Sequence, residues 1–231
     1  MKATFFSLLL LVFAAVFTHA QTDCEGYLPF KEGLTFEHTH YDAKGKVTSV
    51  NSATFVEIKA ADAGFRGTVA YRMSDGKKKE SGEGSYVIEC IGGVLKMDLS
   101  SMMNPAMTEA YQSMEMTMSG DGLQFPSSLE VGDVLPDGQT RIDVASNGVS
   151  IVTLAFESKN RKVEAREEIS TPAGTYDCFR IREEITYNAM FLNRSYAIVG
   201  WYAKGIGLVK QETYDAKGVM SSWMELTKWG R

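Results

Sequence analysis

The chain has 231 residues, of which 44% are hydrophobic and 11% aromatic, with 24 Lys+Arg against 29 Asp+Glu and a net charge of −5. This composition supports a buried core and excludes a disordered, collagen-like or coiled-coil chain. It also lacks the basic excess that neutralising a phosphate backbone requires, so no nucleic-acid partner is expected.

Lys2 is followed by an apolar run from Phe5 to Phe17, broken only by Ser7, and Ala20 closes it with a small residue. Residues 1–20 therefore read as a secretory signal peptide, too short for a membrane span, ahead of a single domain over residues 21–231. No later stretch is long and apolar enough to cross a bilayer as a helix. The expected product is an exported chain, periplasmic or extracellular, that does not span the membrane. Gln21-Thr22-Asp23 before Cys24 argues against a lipid anchor there. The cysteines are Cys24, Cys90 and Cys178, which in an oxidising compartment implies one bridge and one leftover thiol. A Cys24–Cys90 disulfide is the favoured pairing, since it would tie the N-terminal segment to a sheet with roughly 4 kcal/mol of loop-closure stabilisation. The other two pairings stay open.

From Leu34 onward the hydrophobic pattern has period two. Val163, Ala165 and Ile169 alternate with Lys162, Glu164, Arg166 and Glu168, and Phe179, Ile181, Ile185 and Tyr187 alternate with Arg180, Arg182, Glu184 and Thr186. These are half-buried antiparallel strands. Cys178, two residues before Arg180, falls on the polar face by alternation; burying it calls for a bulge after Gly174 or a strand that starts at Phe179. Turns are expected at Asp42-Ala43-Lys44-Gly45, Asp75-Gly76, Gly92-Gly93, Asp121-Gly122, Asp137-Gly138, Asn147-Gly148 and Lys159-Asn160. Asn147-Gly148 suits a type I′ hairpin, which needs positive φ at both central residues. Ser101 to Gln112 alone reads as helical, with Asn104 as N-cap and Pro105 at the first helical position. The predicted fold is all-β: a single antiparallel curved sheet forming a half-barrel or barrel, with one short helix near 102–112. Thr39 to Gly45 is echoed by Glu212 to Gly218, which suggests either a duplicated half or recurrent hairpin chemistry.

Few constellations carry chemistry. His38 and His40 share a strand face, but no motif supplies further ligands, so no metal and no cofactor are expected. Met97, Met102, Met103, Met107, Met114, Met116 and Met118 cluster within a short span. Thioethers suit Cu(I), yet same-face neighbours on a strand are about 7 Å apart, and adaptable packing is the commoner use of methionine. Lys77-Lys78-Lys79 belongs in a hairpin tip and reads as a solvated turn, since on an acidic chain three lysines are marginal for membrane-surface binding. There is no Gly-x-Ser-x-Gly elbow, no third histidine outside the leader and no phosphate loop, so the protein is read as a non-enzyme.

Four segments point to one family: CEGYLPFKEG (24–33), PSSLEVGDVLPDG (126–138), TPAGTYDCFRI (171–181) and WYAKGIGLVKQETYDAKG (201–218). Together they resemble an exported bacterial family labelled TapB, or domain-of-unknown-function β-proteins, similar in architecture to periplasmic half-barrel carriers of the lipoprotein-chaperone kind. The resemblance implies a curved sheet or barrel outside the cytoplasm and a Cys24–Cys90 staple, with no catalytic residue to carry over. The leading expectation is an envelope protein that holds an apolar small molecule or extended peptide on a concave β-surface, faced by Met102, Met103, Met107, Met114, Met116 and Met118. The alternative is a module that binds another envelope protein and no small ligand.

Overall fold

The computed structural model describes residues 26–27, 30–61, 64–77, 79–97, 114–189 and 192–230, the side chains of residues 81, 97, 115, 116, 118 and 192 aside. Thirteen strands account for nearly all of it: β1 (Thr35–Asp42), β2 (Val47–Ala61), β3 (Gly64–Asp75), β4 (Glu80–Ile91), β5 (Val94–Met97), β6 (Glu115–Gly120), β7 (Leu123–Pro126), β8 (Gly138–Ser146), β9 (Val149–Thr171), β10 (Gly174–Ala189), β11 (Leu192–Ala203), β12 (Gly207–Tyr214) and β13 (Met220–Gly230). They form one sheet in the order β6-β8-β9-β10-β11-β12-β13-β1-β2-β3-β4-β5-β7, and each named pairing is antiparallel. The protein is all-β, with no helix among the described residues; the helix expected near 102–112 lies outside them.

The sheet is strongly curled. Phe125 of β7 and Tyr202 of β11 stand eight places apart in the strand order, yet their ring centroids are 4.8 Å apart. The hydrogen-bonded ladder does not close, so the sheet is open, with β6 and β7 as its edges. Those edges are consecutive in the chain, joined by Asp121-Gly122, with positive φ at Gly120 and Gly122. The expected Asp121-Gly122 turn is therefore no hairpin; it passes the chain from one edge of the sheet to the other.

Curvature shows in the placement of glycine on the inner face. A Cβ on Gly67 would meet the Phe55 ring at 2.6 Å, and one on Gly200 would meet the Tyr202 ring at 2.6 Å. Large rings lie across the bare backbone at these positions, which lets strands coil more tightly than side chains on every residue would allow. The core these rings join gathers Phe36, Phe55, Val69, Ile88, Phe125 and Ile181 with residues from most other strands. It lies toward the end of the sheet that carries the β2–β3, β4–β5, β9–β10 and β11–β12 turns. There Tyr27 and Leu34 are buried in it, and the Gly205 N–H donates to the Gly26 carbonyl.

Two local expectations are corrected. Lys159-Asn160 is not a turn but lies within the 23-residue β9, where Asn160 has φ 55° and the register against β10 shifts between Arg182 and Glu184. The short polar side chain that made Asn160 look like a turn residue serves a bulge instead. Cys178 needs no register change, because β10 begins at Gly174 and its pairing with β9 is regular as far as Arg180. Cys178 does share the outer face with Arg180, but Val199, Trp201, Ala203 and Val209 bury it there. Asn147 and Gly148 have φ of 51° and 75°, as a type I′ hairpin requires.

Candidate functional site

In an antiparallel ladder, residues directly opposite one another share a face of the sheet. Leu226, His38, Asn51, Met73 and Gly82 form one such inner row across β13, β1, β2, β3 and β4. Gln211, Met224, His40 and Ser49 form the next across β12, β13, β1 and β2. These rows lie farther toward the β1–β2 hairpin end than the aliphatic core. Their side chains change character accordingly: Leu226 is buried, whereas His38, His40, Asn51, Met73, Gln211 and Met224 are only half-buried.

Tyr71 and Tyr86 complete this inner region, with ring centroids 6.1 Å apart. Gly84 faces Tyr71 across the β3–β4 ladder, and a Cβ there would come within 2.7 Å of the Tyr71 hydroxyl. With Gly82 beside Met73, β4 thus contributes bare backbone where its partner strand contributes large side chains. His38 bonds through Nε2 to the Leu208 carbonyl at 2.8 Å; a carbonyl only accepts, so Nε2 carries a proton and donates. Burial pushes its pKa down to about 4, and burial lowers that of His40 as well. The Asn51 Oδ1 is buried without a hydrogen-bond partner. Among the described residues no group of three or more His, Cys, Asp or Glu stands together as a metal-binding set.

A second polar feature lies inside the sheet. Arg161 is fully buried and Glu183 nearly so. The Arg161 Nε donates to the Glu183 carboxylate at 3.2 Å, and Nη1 donates to the carbonyls of Gln124 and Pro136, each at 2.8 Å. Ser158 donates to the same carboxylate at 2.6 Å, and the guanidinium lies 4.7 Å from the centroid of the Phe125 ring. One charged pair thus ties β9 and β10 to β7 and to the segment leading into β8. No sequence signal distinguished Arg161 from its exposed neighbour Lys162, because the Asn160 bulge that turns it inward reads locally as a turn.

The hairpin end carries three turns built alike. Asp42 Oδ1 accepts the N–H groups of Lys44 and Lys46 at 2.9 and 3.0 Å. Asp75 Oδ1 accepts those of Lys77 and Lys79 at 2.9 and 2.8 Å, and Asp215 Oδ1 those of Lys217 and Val219, each at 2.9 Å. The Asp75 turn has this geometry without the flanking residues of the Thr39 and Glu212 echo. Recurrent hairpin chemistry thus suffices to account for that echo.

The sequence-predicted residues are only partly brought together. Met114 is half-buried against Ile142, Val144, Val152 and Leu154, away from the histidine rows. Met116 and Met118 pair with Val144 and Ile142 in the β6–β8 ladder, but their side chains lie outside the described residues, as do Met102, Met103 and Met107 entirely. Cys90 is buried and disulfide-bonded, Cys178 is a free buried thiol, and Cys24 lies outside the described residues. Sequence reasoning missed Met73, Met224 and the two tyrosines as a group. The available signal was Gly82 and Gly84, spaced two apart and so on one face of an otherwise ordinary strand.

A protein-family model described as DUF3108-like matches residues 31–226. The chain belongs to this DUF3108-like family, in keeping with the domain-of-unknown-function resemblance of its segments; the match does not carry the TapB label. No curated protein matches the sequence. Among solved structures, a Bacteroides fragilis protein described as exported, with a YmcC-like fold, superposes with a TM-score of 0.71 at 22% identity, over 90% of this chain and 100% of that one. A Parabacteroides distasonis protein described as a lipoprotein superposes with a TM-score of 0.72 at 21% identity, over 90% of this chain and 99% of that one. These likenesses show that the chain has the same fold.

Proposed function

We propose that this member of the DUF3108-like family is an exported, non-enzymatic envelope protein that holds an apolar small molecule or an extended peptide on its concave face. One observation carries the reading: inward-facing Tyr71, Tyr86, Met73 and Met224 stay half-buried, over a strand whose opposing inner positions are Gly82 and Gly84. Apolar and aromatic groups with a few polar atoms among them are what a ligand-bearing concavity presents. Methionine adds a surface that adapts to varied partners. Export is supported by the apolar leader Phe5 to Phe17 and by fold relatives described as an exported protein and a lipoprotein.

The test is native mass spectrometry of the protein recovered after expression of the full chain, with organic extraction of the same sample. A stoichiometric apolar adduct, diminished in Met73→Ala and Tyr86→Ala, is the expected result. A bare polypeptide mass would refute the carrier reading. It would favour the second reading, a protein-binding module, for which exposed Val131 and Val134, 57% and 77% accessible, are the motivating apolar surface. Crosslinking in the envelope fraction would then identify the partner.

A further inference from the structure

The three aspartate-capped turns come from distant parts of the sequence, at 42–46, 75–79 and 215–219, but the fold sets them in a row. Their strands, β12, β13, β1, β2, β3 and β4, are consecutive in the sheet. At ordinary strand spacing the row runs about 24 Å along one end of the sheet. The Gly76 N–H donates to the Thr48 carbonyl at 3.0 Å, docking the 75–79 tip against the base of the 42–46 tip. In sequence these fifteen positions hold six lysines and three aspartates, a net of +3 within a chain of net −5. Each of the three carboxylates is bonded to two backbone N–H groups of its own turn.

Lys44, Lys46, Lys77, Lys79 and Lys217, by contrast, are all exposed. The lysine ion pairs of the described residues are made elsewhere, by Lys59, Lys159, Lys210 and Lys228. Two exposed apolar side chains stand at the same end of the sheet: Val219, 60% accessible, within the third tip, and Val149, 67% accessible, at the β8–β9 hairpin. Unpaired lysines with an exposed valine among them at Val219 fit a surface that is anionic at its face and apolar beneath it.

We propose that this end of the sheet docks on an anionic phospholipid bilayer, with the lysine tips against the headgroups and Val219 entering the interface. The sequence signal was weak because it presented three lysines of one tip; the fold adds two further tips on the same edge. Docking so placed turns the inner rows of His40, Met224 and Met73 toward the bilayer, and it stands whether or not the concave face holds a ligand. A lysine near an anionic surface strengthens binding about fivefold at low salt, and the effect fades within a Debye length of about 10 Å at 0.1 M salt.

The experiment is flotation of the protein, obtained from full-chain expression, with vesicles of mixed phosphatidylglycerol and phosphatidylcholine or of phosphatidylcholine alone. Binding is expected on the anionic vesicles only, lost at high salt, and reduced at least about tenfold in a Lys44→Gln/Lys46→Gln/Lys77→Gln/Lys79→Gln variant. A control variant with Lys31, Lys59, Lys162 and Lys204 changed to Gln removes the same bulk charge away from that end and should bind as the parent does. Circular dichroism melts confirm that both variants fold. Absence of flotation at low salt, equal flotation with both vesicle types, or equal loss in the control variant would overturn the proposal.

Discussion

Arg161→Met is the most informative single perturbation of the fold. Arg161 and Glu183 have side-chain exposures of 0% and 7%. Removing the guanidinium leaves the carboxylate with only the Ser158 hydroxyl, and leaves the Gln124 and Pro136 carbonyls without their donor. Methionine keeps the aliphatic stem and much of the packing against Phe125, so the loss reports mainly on charge and hydrogen bonding. Breaking one partner of a buried pair costs about 3–5 kcal/mol. At about 2–4 °C per kcal/mol for a domain of this size, the melting temperature should fall by roughly 6–20 °C. In the double variant Arg161→Met/Glu183→Met the orphaned charge disappears, and stability should return to within about 2 kcal/mol of the parent. Urea denaturation followed by tryptophan fluorescence, completed as a double-mutant cycle, measures both quantities. A loss under about 1 kcal/mol for Arg161→Met, or a double variant as unstable as the sum of the singles, would refute the argument.

Three further outcomes follow from the buried groups. His38 is neutral in the fold with a pKa of about 4, below its ordinary value near 6.5. The unfolded chain therefore binds the proton more readily: stability is full above about pH 6.5 and declines as pH falls toward 4, by about 3 kcal/mol across that window. Urea midpoints measured across it should show this decline, flattened in His38→Gln, which can still donate to the Leu208 carbonyl; an unchanged slope counts against the assignment. Burial first, then the nearby Asp177 and Glu167, pushes the Cys178 thiol up to about 12. It should resist iodoacetamide at pH 8 in the native protein and react on unfolding, and rapid native labelling is the contrary result. The bridge to Cys90 is proposed to come from Cys24, and non-reducing peptide mapping should recover that pair. Recovery of a Cys90–Cys178 peptide instead would rule it out. Cys24→Ser should cost about 4 kcal/mol if the closed loop acts through chain entropy.

Strand content was legible because alternation is local. Lys162 to Ile169 and Phe179 to Tyr187 announced β9 and β10, and Asn147-Gly148 announced the hairpin whose positive φ values it supplies. What alternation does not encode is which strands lie side by side or which face curls inward. Asp121-Gly122 looked like any other turn, although it connects strands at opposite edges of the sheet. Lys159-Asn160 looked like a break, although the strand continues through a bulge and carries Arg161 inward. The candidate site was less legible still. Met73, Tyr86, His38 and Met224 come from four strands whose adjacency depends on the β1–β13 pairing, and no local pattern reveals that pairing. The methionine cluster drew attention because it is dense in sequence, a property that says nothing about where a folded sheet leaves side chains within reach of solvent.

That pairing also has a consequence for the order in which the molecule can be assembled. β1 through β5, with β7, form one contiguous part of the sheet, and β6 with β8 through β12 form the other; β13 lies between β12 and β1 and pairs with both. Thr35 waits for Gly230, 195 positions later in the chain. Until β13 has been made, β1 and β12 each keep an unpaired edge, and the two parts are joined by the β5–β6, β6–β7 and β7–β8 connections and by contacts such as Phe125 with Tyr202 and Arg161 with the Gln124 carbonyl. Completion thus depends on a contact of very high sequence separation, the slow kind in folding. A chain built in this way becomes a single sheet only when its thirteenth strand joins β12 to β1.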